Sequence, residues 1–309
     1  RTEQKKRKKI IIMLLHLLCL FIDRVSGLSL RETIQFDREA YVYDPRGRVL
    51  QLEYAERAAD NGGLIFSTVV QDVGIICAFI YRNETKKIFQ VDDGNFIAYT
   101  GLRSDGASLL DRGRRAAASE RLSFPEKRPL PKRIARTLAD TMHAAARGGG
   151  NRAYGVHLLI AGLSQQERPE LFTVHPGGNI HCSHHHVLGG SGQSKNSKIS
   201  SLLSSSMEGD CTTPEQVIAS LTKMAFCDYD AVITVQVLAF RRDRNQKKHK
   251  LSSPRVFAWL ADLRRDDLTH DLNNLHPRAL ASLTAALSDD DDAAQADAAL
   301  SDISISKAQ

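Results

Sequence analysis

The amino-acid sequence predicts an α+β fold in which two antiparallel sheets are stacked and a pair of helices covers each outer face. Two observations support this prediction. Helical and strand-like segments follow one another in blocks, in the order helix, strands, two helices, strands, two helices, strands, whereas a doubly wound parallel sheet would alternate them singly. Several strand-like runs are also separated by only a few turn residues, which is typical of antiparallel hairpins.

The first element is a turn that leads directly into a helix. In the stretch Asp44-Pro45-Arg46-Gly47, aspartate, proline and glycine occupy the first, second and fourth positions, where a β-turn favours them. Apolar residues then recur at a spacing of three to four, which predicts a helix over residues 48–60. The sequence Asn61-Gly62-Gly63 ends this helix.

The remaining elements follow from the same periodicities. Apolar and β-branched runs predict strands at 64–70, 73–80, 95–101, 156–162, 170–174, around 180–188, 231–240 and 254–261. Helical spacing predicts helices at 104–120, 132–146, 193–204 and 213–226. The last of these begins with Thr213, Pro214 and Gln216, the pattern of a capping box.

The chain divides into three regions. Its 309 residues suffice for one large domain or two small ones, and the predicted elements lead us to assign residues 29–262 to a single domain. Residues 1–28 are assigned to an N-terminal extension. Residues 263–309, which include four consecutive aspartates at 289–292, are assigned to an acidic tail that we expect to be disordered.

The N-terminal extension has two interpretations. Residues 10–22 (IIIMLLHLLCLFI) follow a basic run and precede the small residues Val25 and Gly27, a pattern similar to a signal peptide. The apolar run is short for a bilayer span. The alternative, which we favour, is an extension or a spurious upstream segment with a start at Met13, because nothing downstream has the features of a secreted protein.

Charge and cysteine content argue against two classes of protein. The net charge is +6, but six basic residues and one acidic residue lie in each of the segments 1–9 and 241–250, a tail and a predicted loop. Nucleic-acid binding would favour basic residues on one folded face. The five cysteines are an odd number, widely spaced and without a CxxC pair, which indicates reduced thiols inside the cell instead of a disulfide framework.

Catalytic motifs are scarce in this sequence. GxSxG, HExxH, GxxxxGK[ST] and GxGxxG are all absent. The segment 180–186 (IHCSHHH) is the one metal candidate. On a single strand, His184 and His186 would share one face, and His181 and His185 the other. This division favours an exposed strand edge over a metal site, and we expect neither a metal nor a cofactor.

Five segments share their order and approximate spacing with one known family. The first is FDREAYVYDPRGRVLQLEYA (36–55), and the others are KKIFQVDD (86–93), YTGLRSDGASLLDRGR (99–114), GGNRAYGVHLLIAG (149–162) and HPGGN (175–179). Together they resemble the alpha-type subunits of the 20S proteasome, whose N-terminal signature has a Tyr-Asp-Arg start, a turn and a Gln-Val-Glu-Tyr-Ala helix. The resemblance covers residues 36–205 well and continues loosely to about 262.

The resemblance implies a four-layer αββα sandwich of the N-terminal-nucleophile hydrolase type. It also implies a non-catalytic subunit in a hetero-heptameric alpha ring, which forms the gate, docks activators and templates the beta rings in ubiquitin-dependent protein catabolism. The implied partners are other alpha subunits, beta subunits and an ATPase regulatory particle or other activators, in cytoplasm and nucleus, with no nucleic acid or membrane. The alternatives are an active beta-type threonine peptidase and a signal-led secreted or membrane-tethered protein.

The residues themselves support inactivity. Catalytic relatives in this family begin their first strand with a threonine after a glycine and carry an aspartate one strand later. The corresponding residues here are Gly63-Leu64, which lack a hydroxyl, and Phe79 or Ile80. A threonine nucleophile also requires a free amine as its base, whereas a helix precedes this strand.

The resemblance implies two further sets of site residues. Its gate positions match Phe36, Asp37, Arg38, Pro45 and Tyr54, where Phe36 replaces the usual tyrosine and loses a hydroxyl. Its activator-docking pocket, between neighbouring alpha subunits, matches Gly62, Lys87 and Leu102. Lys87 would pair with the terminal carboxylate of an activator; the alternative is an ordinary solvated lysine.

Overall fold

A computed structural model of the chain describes residues 42–81, 86–125, 127–149, 152–190, 213–228, 232–242 and 256–265. The proposed extension 1–28, the gate residues Phe36, Asp37 and Arg38, the predicted helix 193–204 and most of the tail 263–309 lie outside these ranges. No helix in the described part of the chain combines the length and the apolar character needed to cross a membrane.

The described ranges contain four α-helices and ten strands. The helices are α1 Leu50–Asp60, α2 Arg103–Ser123, α3 Pro131–Ala144 and α4 Pro214–Asp228. The strands are β1 Ile65–Val70, β2 Val73–Tyr81, β3 Ile88–Gln90, β4 Asn95–Gly101, β5 Val156–Leu163, β6 Pro169–Val174, β7 Ile180–Cys182, β8 His185–Leu188, β9 Val232–Arg242 and β10 Val256–Arg264. Most predicted elements are therefore confirmed, with ends shifted by one to three residues.

The strands form two five-stranded antiparallel sheets. The first sheet has the order β10-β9-β2-β1-β8, and the second has the order β3-β4-β5-β6-β7. Helices α2 and α3 cover the outer face of the second sheet, and α4 covers that of the first. The predicted α+β sandwich is thus confirmed, and the other helix of the predicted outer pair, 193–204, lies outside the described residues.

Apolar side chains fill three successive layers of this sandwich. One layer lies between α4 and the first sheet and includes Phe66 and Phe79. A second lies between the second sheet and the pair α2–α3 and includes Leu109 and Leu138. The third, with Phe240 and other members, lies between the two sheets. Since both faces of each sheet are covered, the strands are apolar in near-continuous runs and do not alternate with polar residues.

Local predictions at two element ends are confirmed in atomic detail. At the start of α4, the backbone N–H of Thr213 donates to Gln216 Oε1 at 3.1 Å, and the N–H of Gln216 donates to Thr213 Oγ1 at 3.4 Å, which is the reciprocal capping box. In the β1–β2 hairpin, Gln71 and Asp72 both have positive φ, +48° and +63°. Positive φ at both central residues suits the twist of a two-residue hairpin.

The prediction of a strand around 180–188 is wrong in one respect. The segment forms two short strands, β7 in the second sheet and β8 in the first, with Ser183 and His184 between them. His181 therefore does not share a strand with His185. This segment contains too few apolar residues for its own sequence to determine its strand pairing. Each short strand is positioned mainly by the neighbouring strand with which it pairs.

Candidate functional site

The turn at Asp44 is closed by several hydrogen bonds to one side chain. Asp44 Oδ1 accepts the backbone N–H groups of Arg46 at 2.9 Å and Arg48 at 2.8 Å, and the N–H of Gly47 donates to the Asp44 carbonyl at 2.8 Å. The backbone hydrogen bond from Arg48 is the main cause that lowers the pKa of the Asp44 carboxyl. Gly47 has φ +76°, a conformation that glycine adopts without steric cost. The predicted turn at Asp44–Gly47 is confirmed.

Two of the five gate positions lie among the described residues. Pro45 is exposed on the turn, and Tyr54 is partly exposed on α1, where the Arg57 guanidinium lies 5.9 Å from the centre of its ring. The three other gate positions precede the described residues. No contact of the gate segment itself can therefore be assigned, and the gate assignment stays a prediction.

Three glycines allow close backbone packing where α1 ends. A Cβ atom on Gly62 would lie 2.1 Å from the backbone nitrogen of Gly101, and one on Gly101 would lie 2.3 Å from the carbonyl oxygen of Gly155. Gly101 also has φ +112°. The backbone N–H of Leu102 donates to the Gly155 carbonyl at 3.0 Å, and its side chain is partly exposed. The structure thus brings Gly62 and Leu102 together, two of the three residues predicted for the docking pocket.

An ion pair stabilises the close packing of Gly62, Gly101 and Gly155, which we call the glycine corner. Arg152 Nη1 and Nη2 donate to Asp105 Oδ2 and Oδ1 at 2.6 and 2.8 Å, a bidentate pair, and the N–H of Gly155 donates to Asp105 Oδ2 at 3.0 Å. Burial raises the pKa of Asp105, but the hydrogen bonds from Arg152 and Gly155 outweigh it and lower the pKa overall. The pair ties the first turn of α2 to the entry of β5 and so fixes the backbone around Leu102.

The sequence reasoning missed the role of Asp105 and Arg152, although both lie in the quoted motifs. One signal was present: Asp105 precedes Leu109 by four residues and therefore lies on the buried face of α2. A carboxylate on a buried face usually requires a cationic partner. Its partner, 47 residues away, could not be read from spacing.

Lys87, the third predicted pocket residue, is only 8% exposed. It precedes β3, and its backbone N–H donates to Gln236 Oε1 at 3.0 Å. The next residue, Ile88, pairs with Ala98 on β4. Because β4 ends at Gly101, Lys87 lies at the edge of the β3–β4 pair, which leads to the glycine corner. Lys86, by contrast, is exposed. The interpretation of Lys87 as an ordinary solvated lysine does not fit this burial.

Leu64, the residue that the resemblance aligns with a catalytic threonine, is apolar and buried. Leu64 is fully buried, and its carbonyl accepts the N–H of Phe79 at 2.9 Å. Phe79 is also fully buried, in the layer beneath α4, and Ile80 follows it on β2. No hydroxyl or carboxylate from these positions is available for nucleophilic chemistry. Among the described residues, no group of three or more His, Cys, Asp or Glu is arranged to hold a metal ion.

This architecture, two five-stranded sheets between helices with a helix before the first strand, defines a sandwich of the N-terminal-nucleophile hydrolase type. Comparison with known proteins makes the assignment specific, since the Proteasome subunit family model matches residues 76–221. A proteasome subunit alpha of Methanocaldococcus jannaschii is 30% identical over 223 residues, which cover 67% of this chain and 83% of that protein.

Two other alpha subunits match over a shorter length. The one from Thermococcus sibiricus is 34% identical over 151 residues, which cover 46% of this chain and 56% of the relative. The one from Methanoregula boonei is 32% identical over 152 residues, which cover 47% and 62%. The chain belongs to the proteasome subunit family and is a divergent alpha-type member.

Proposed function

We propose that the chain is a non-catalytic subunit of the alpha ring of a 20S proteasome core particle, where it contributes to the gate and to the surface on which activators dock. The observation that carries the non-catalytic part is Leu64. It occupies the position of the nucleophile, is fully buried, and is joined through Gly63 to the end of α1. An N-terminal threonine mechanism needs a hydroxyl and a free amine at that position.

The turn at Asp44–Gly47 supports a role in the gate. The turn is fixed by Pro45, by the positive φ of Gly47 and by the hydrogen bonds to Asp44. In the proposed ring, this rigid turn would orient the preceding gate positions Phe36, Asp37 and Arg38, and Tyr54 on α1 would be the remaining gate position.

The glycine corner supports a role in docking. Gly62 and Leu102 form one side of the proposed pocket, and the Asp105–Arg152 pair holds them in place. Lys87 would supply the positive charge for the terminal carboxylate of an activator.

The proposed partners are other alpha subunits in a hetero-heptameric ring, beta-ring subunits and an ATPase regulatory particle or other activators. The proposed process is ubiquitin-dependent protein catabolism, in cytoplasm and nucleus. The relatives named above are archaeal alpha subunits; their names support assembly into a proteasome.

Tagged full-length chain, expressed in its own cells, tests membership of the particle. We expect it to migrate on native gels with a complex of several hundred kilodaltons that cleaves peptides. Intact-mass analysis of the purified particle should find no form that begins between residues 60 and 70. A processed form of that kind, or recovery of the chain only from membranes or medium, would contradict the proposal.

Replacement of two adjacent lysines tests the docking pocket. Lys87→Ala should weaken activator binding at least tenfold, since it removes the proposed charge-assisted contact, whereas Lys86→Ala should bind activators as the wild type does. Native gels of both variants provide the control for ring assembly. Equal activator binding by the two variants in assembled particles would remove Lys87 from the pocket.

A further inference from the structure

A histidine cluster lies at the edge of the second sheet, outside the proposed gate and docking surface. The ring of His175, at the end of β6, lies 4.8 Å from the ring of His157 on β5 and 5.0 Å from that of His181 on β7, centre to centre. Both pairs meet edge to face. Three imidazoles from three neighbouring strands thus stand in one row across the sheet edge.

The inner end of this row is anchored to α1. His157 is 4% exposed, and its Nε2 lies 2.9 Å from Oδ1 of Asp60, the last residue of α1. With Nε2–H donating to this carboxylate, Nδ1 of the neutral ring is left as a buried acceptor with no hydrogen-bond partner among the described residues.

The outer end of the row is weakly held. All three residues of β7 are exposed, and this strand pairs, within the described ranges, with β6 alone. The chain then crosses to the first sheet, where β8 pairs with β1 and His186 Nε2 lies 3.4 Å from the Leu171 carbonyl oxygen. We call residues 175–186 the histidine edge. It is the connection between the two sheets on this side of the molecule.

The surroundings of His175 favour its neutral form. Burial first, and then the neighbouring His157, His181 and His186, lower the pKa of His175 to about 4, while the Asp60 carboxylate opposes this shift. Burial likewise lowers the pKa of His186 to about 4. The other titratable groups close to the edge are His143 of α3, whose Nδ1 lies 3.1 Å from the Gly177 carbonyl oxygen, His185 on β8, and Glu170, Lys132 and Cys182 near β7.

We propose that the histidine edge is an acid-released element: it stays on the sandwich while the imidazole of His175, which stands between those of His157 and His181, is neutral, and strand β7 separates from β6 when that ring binds a proton. A positive His175 ring would lie half-buried, about 5 Å from the rings of His157 and His181, while the nearby Asp60 carboxylate is already engaged by His157. Opening at β7, whose three residues are all exposed, gives the His175 ring access to water and removes the cost of burying its charge.

The direction and size of the effect follow from proton linkage. A histidine with an ordinary pKa of about 6.5 in the open state and about 4 in the closed state binds protons more readily when open, so the edge is most stable above pH 6.5 and loses stability as the pH falls towards 4. Between pH 7.5 and 5.5, the opening equilibrium should rise about tenfold for each such histidine that is released.

Hydrogen–deuterium exchange of the full chain tests this proposal. Labelling is done at pH 7.5 and 5.5, with times scaled for the intrinsic pH dependence of exchange. The exchange rates then give the opening equilibrium of each segment at the two pH values. Strand β3 is a matched internal control, because it is also a three-residue edge strand of the same sheet and contains no histidine. Amides of β7, residues 180–182, should exchange about tenfold faster, relative to β3, at pH 5.5 than at pH 7.5.

Two variants identify the groups responsible. His175→Phe keeps an aromatic ring but cannot bind a proton, and it should remove most of the pH dependence at residues 180–182. His184→Gln, an exposed residue of the same segment, should retain it. If His175→Phe does not fold, NMR titration of the wild-type imidazoles replaces it, and a ring that titrates near pH 4 is expected.

Three results would overturn the proposal: equal acceleration of β3 and the histidine edge in the wild type, unchanged pH dependence in folded His175→Phe, or histidines that all titrate near pH 6.5. None of these results depends on assembly of a proteasome particle. The proposal therefore stands or falls separately from the proposed function.

Discussion

The two edges of the second sheet are built alike in length but are held by different chemistry. Strand β3 at one edge and strand β7 at the other each have three residues, and each begins with isoleucine. Ile88 of β3 is 1% exposed, whereas Ile180 of β7 is 40% exposed. One edge is therefore part of the core, and the other lies on its surface.

The two edges also differ in the polar groups that hold them. Beside β3, the buried Gln236 of β9 accepts the N–H groups of Lys87 and Ile88 through Oε1, at 3.0 and 2.9 Å, and donates through Nε2 to Asp262 at 3.0 Å. A primary amide does not titrate in the physiological range. The β7 edge relies on imidazoles, which do. The comparison teaches that equal strand length and position do not imply equal stability or equal response to acid.

The largest expected effect is a difference in stability between two variants, because the isoleucines that begin the two edge strands differ in burial. Ile88→Ala should lower the free energy of unfolding by about 2–5 kcal/mol, because it leaves a cavity between the sheets. Ile180→Ala should lower it by less than about 1 kcal/mol, since much of the side chain is already in water. Chemical denaturation of both variants at pH 7.5 measures the difference. Equal losses would show that β7 is packed as firmly as β3.

The next effect concerns the amide that fastens β3. Gln236→Leu should cost about 2–4 kcal/mol, since it leaves two buried N–H groups and the Asp262 carboxylate without this partner. Gln236→Glu is the matched control for the N–H groups, because a carboxylate still accepts from both, although it lies close to Asp262. In hydrogen exchange, Gln236→Leu should deprotect β3 at every pH and leave β7 unchanged. Deprotection of both edges would mean that they open together.

Much of this fold could be predicted from the sequence because long apolar runs carry their own periodicity. The hairpin at Gln71-Asp72 and the capping box at Thr213 involve residues within a few positions of each other, so local chemistry sufficed. The segment 180–188 was predicted as a single strand and forms two. Neither short strand has enough apolar residues to specify its partner, so the partners were decided by the rest of the fold.

The candidate site was predictable only where the resemblance supplied a position. Gly62 and Leu102 lie together as expected, but the pair Asp105–Arg152 that supports them joins distant residues. The row His157–His175–His181 joins three separate strands. Such contacts depend on strand register, which sequence spacing does not contain.

The smallest expected effect, and the sharpest test of the comparison, is the response of overall stability to acid. The pKa values of His175 and His186 lie near 4 in the folded protein, below the ordinary value. The folded state therefore binds fewer protons than the unfolded state, and the free energy of unfolding decreases as the pH is lowered from about 6.5 to 4. Because both side chains are partly exposed, we expect a total loss of about 1–2 kcal/mol between pH 7 and 5. Denaturation midpoints measured across this range give the slope.

Carboxylates with a lowered pKa lose their contribution in a different window. The pKa of Asp105 lies below its ordinary value, so the stability that it provides is present above about pH 4 and is lost only in stronger acid. Asp105→Asn should thus lower the midpoint at all pH values above 4 without changing the slope between 6.5 and 4. The double variant His175→Phe/His186→Phe should do the reverse and flatten the slope. If that double variant kept the wild-type slope, acid sensitivity would have to originate away from β7, and the contrast between the two sheet edges would be one of burial alone.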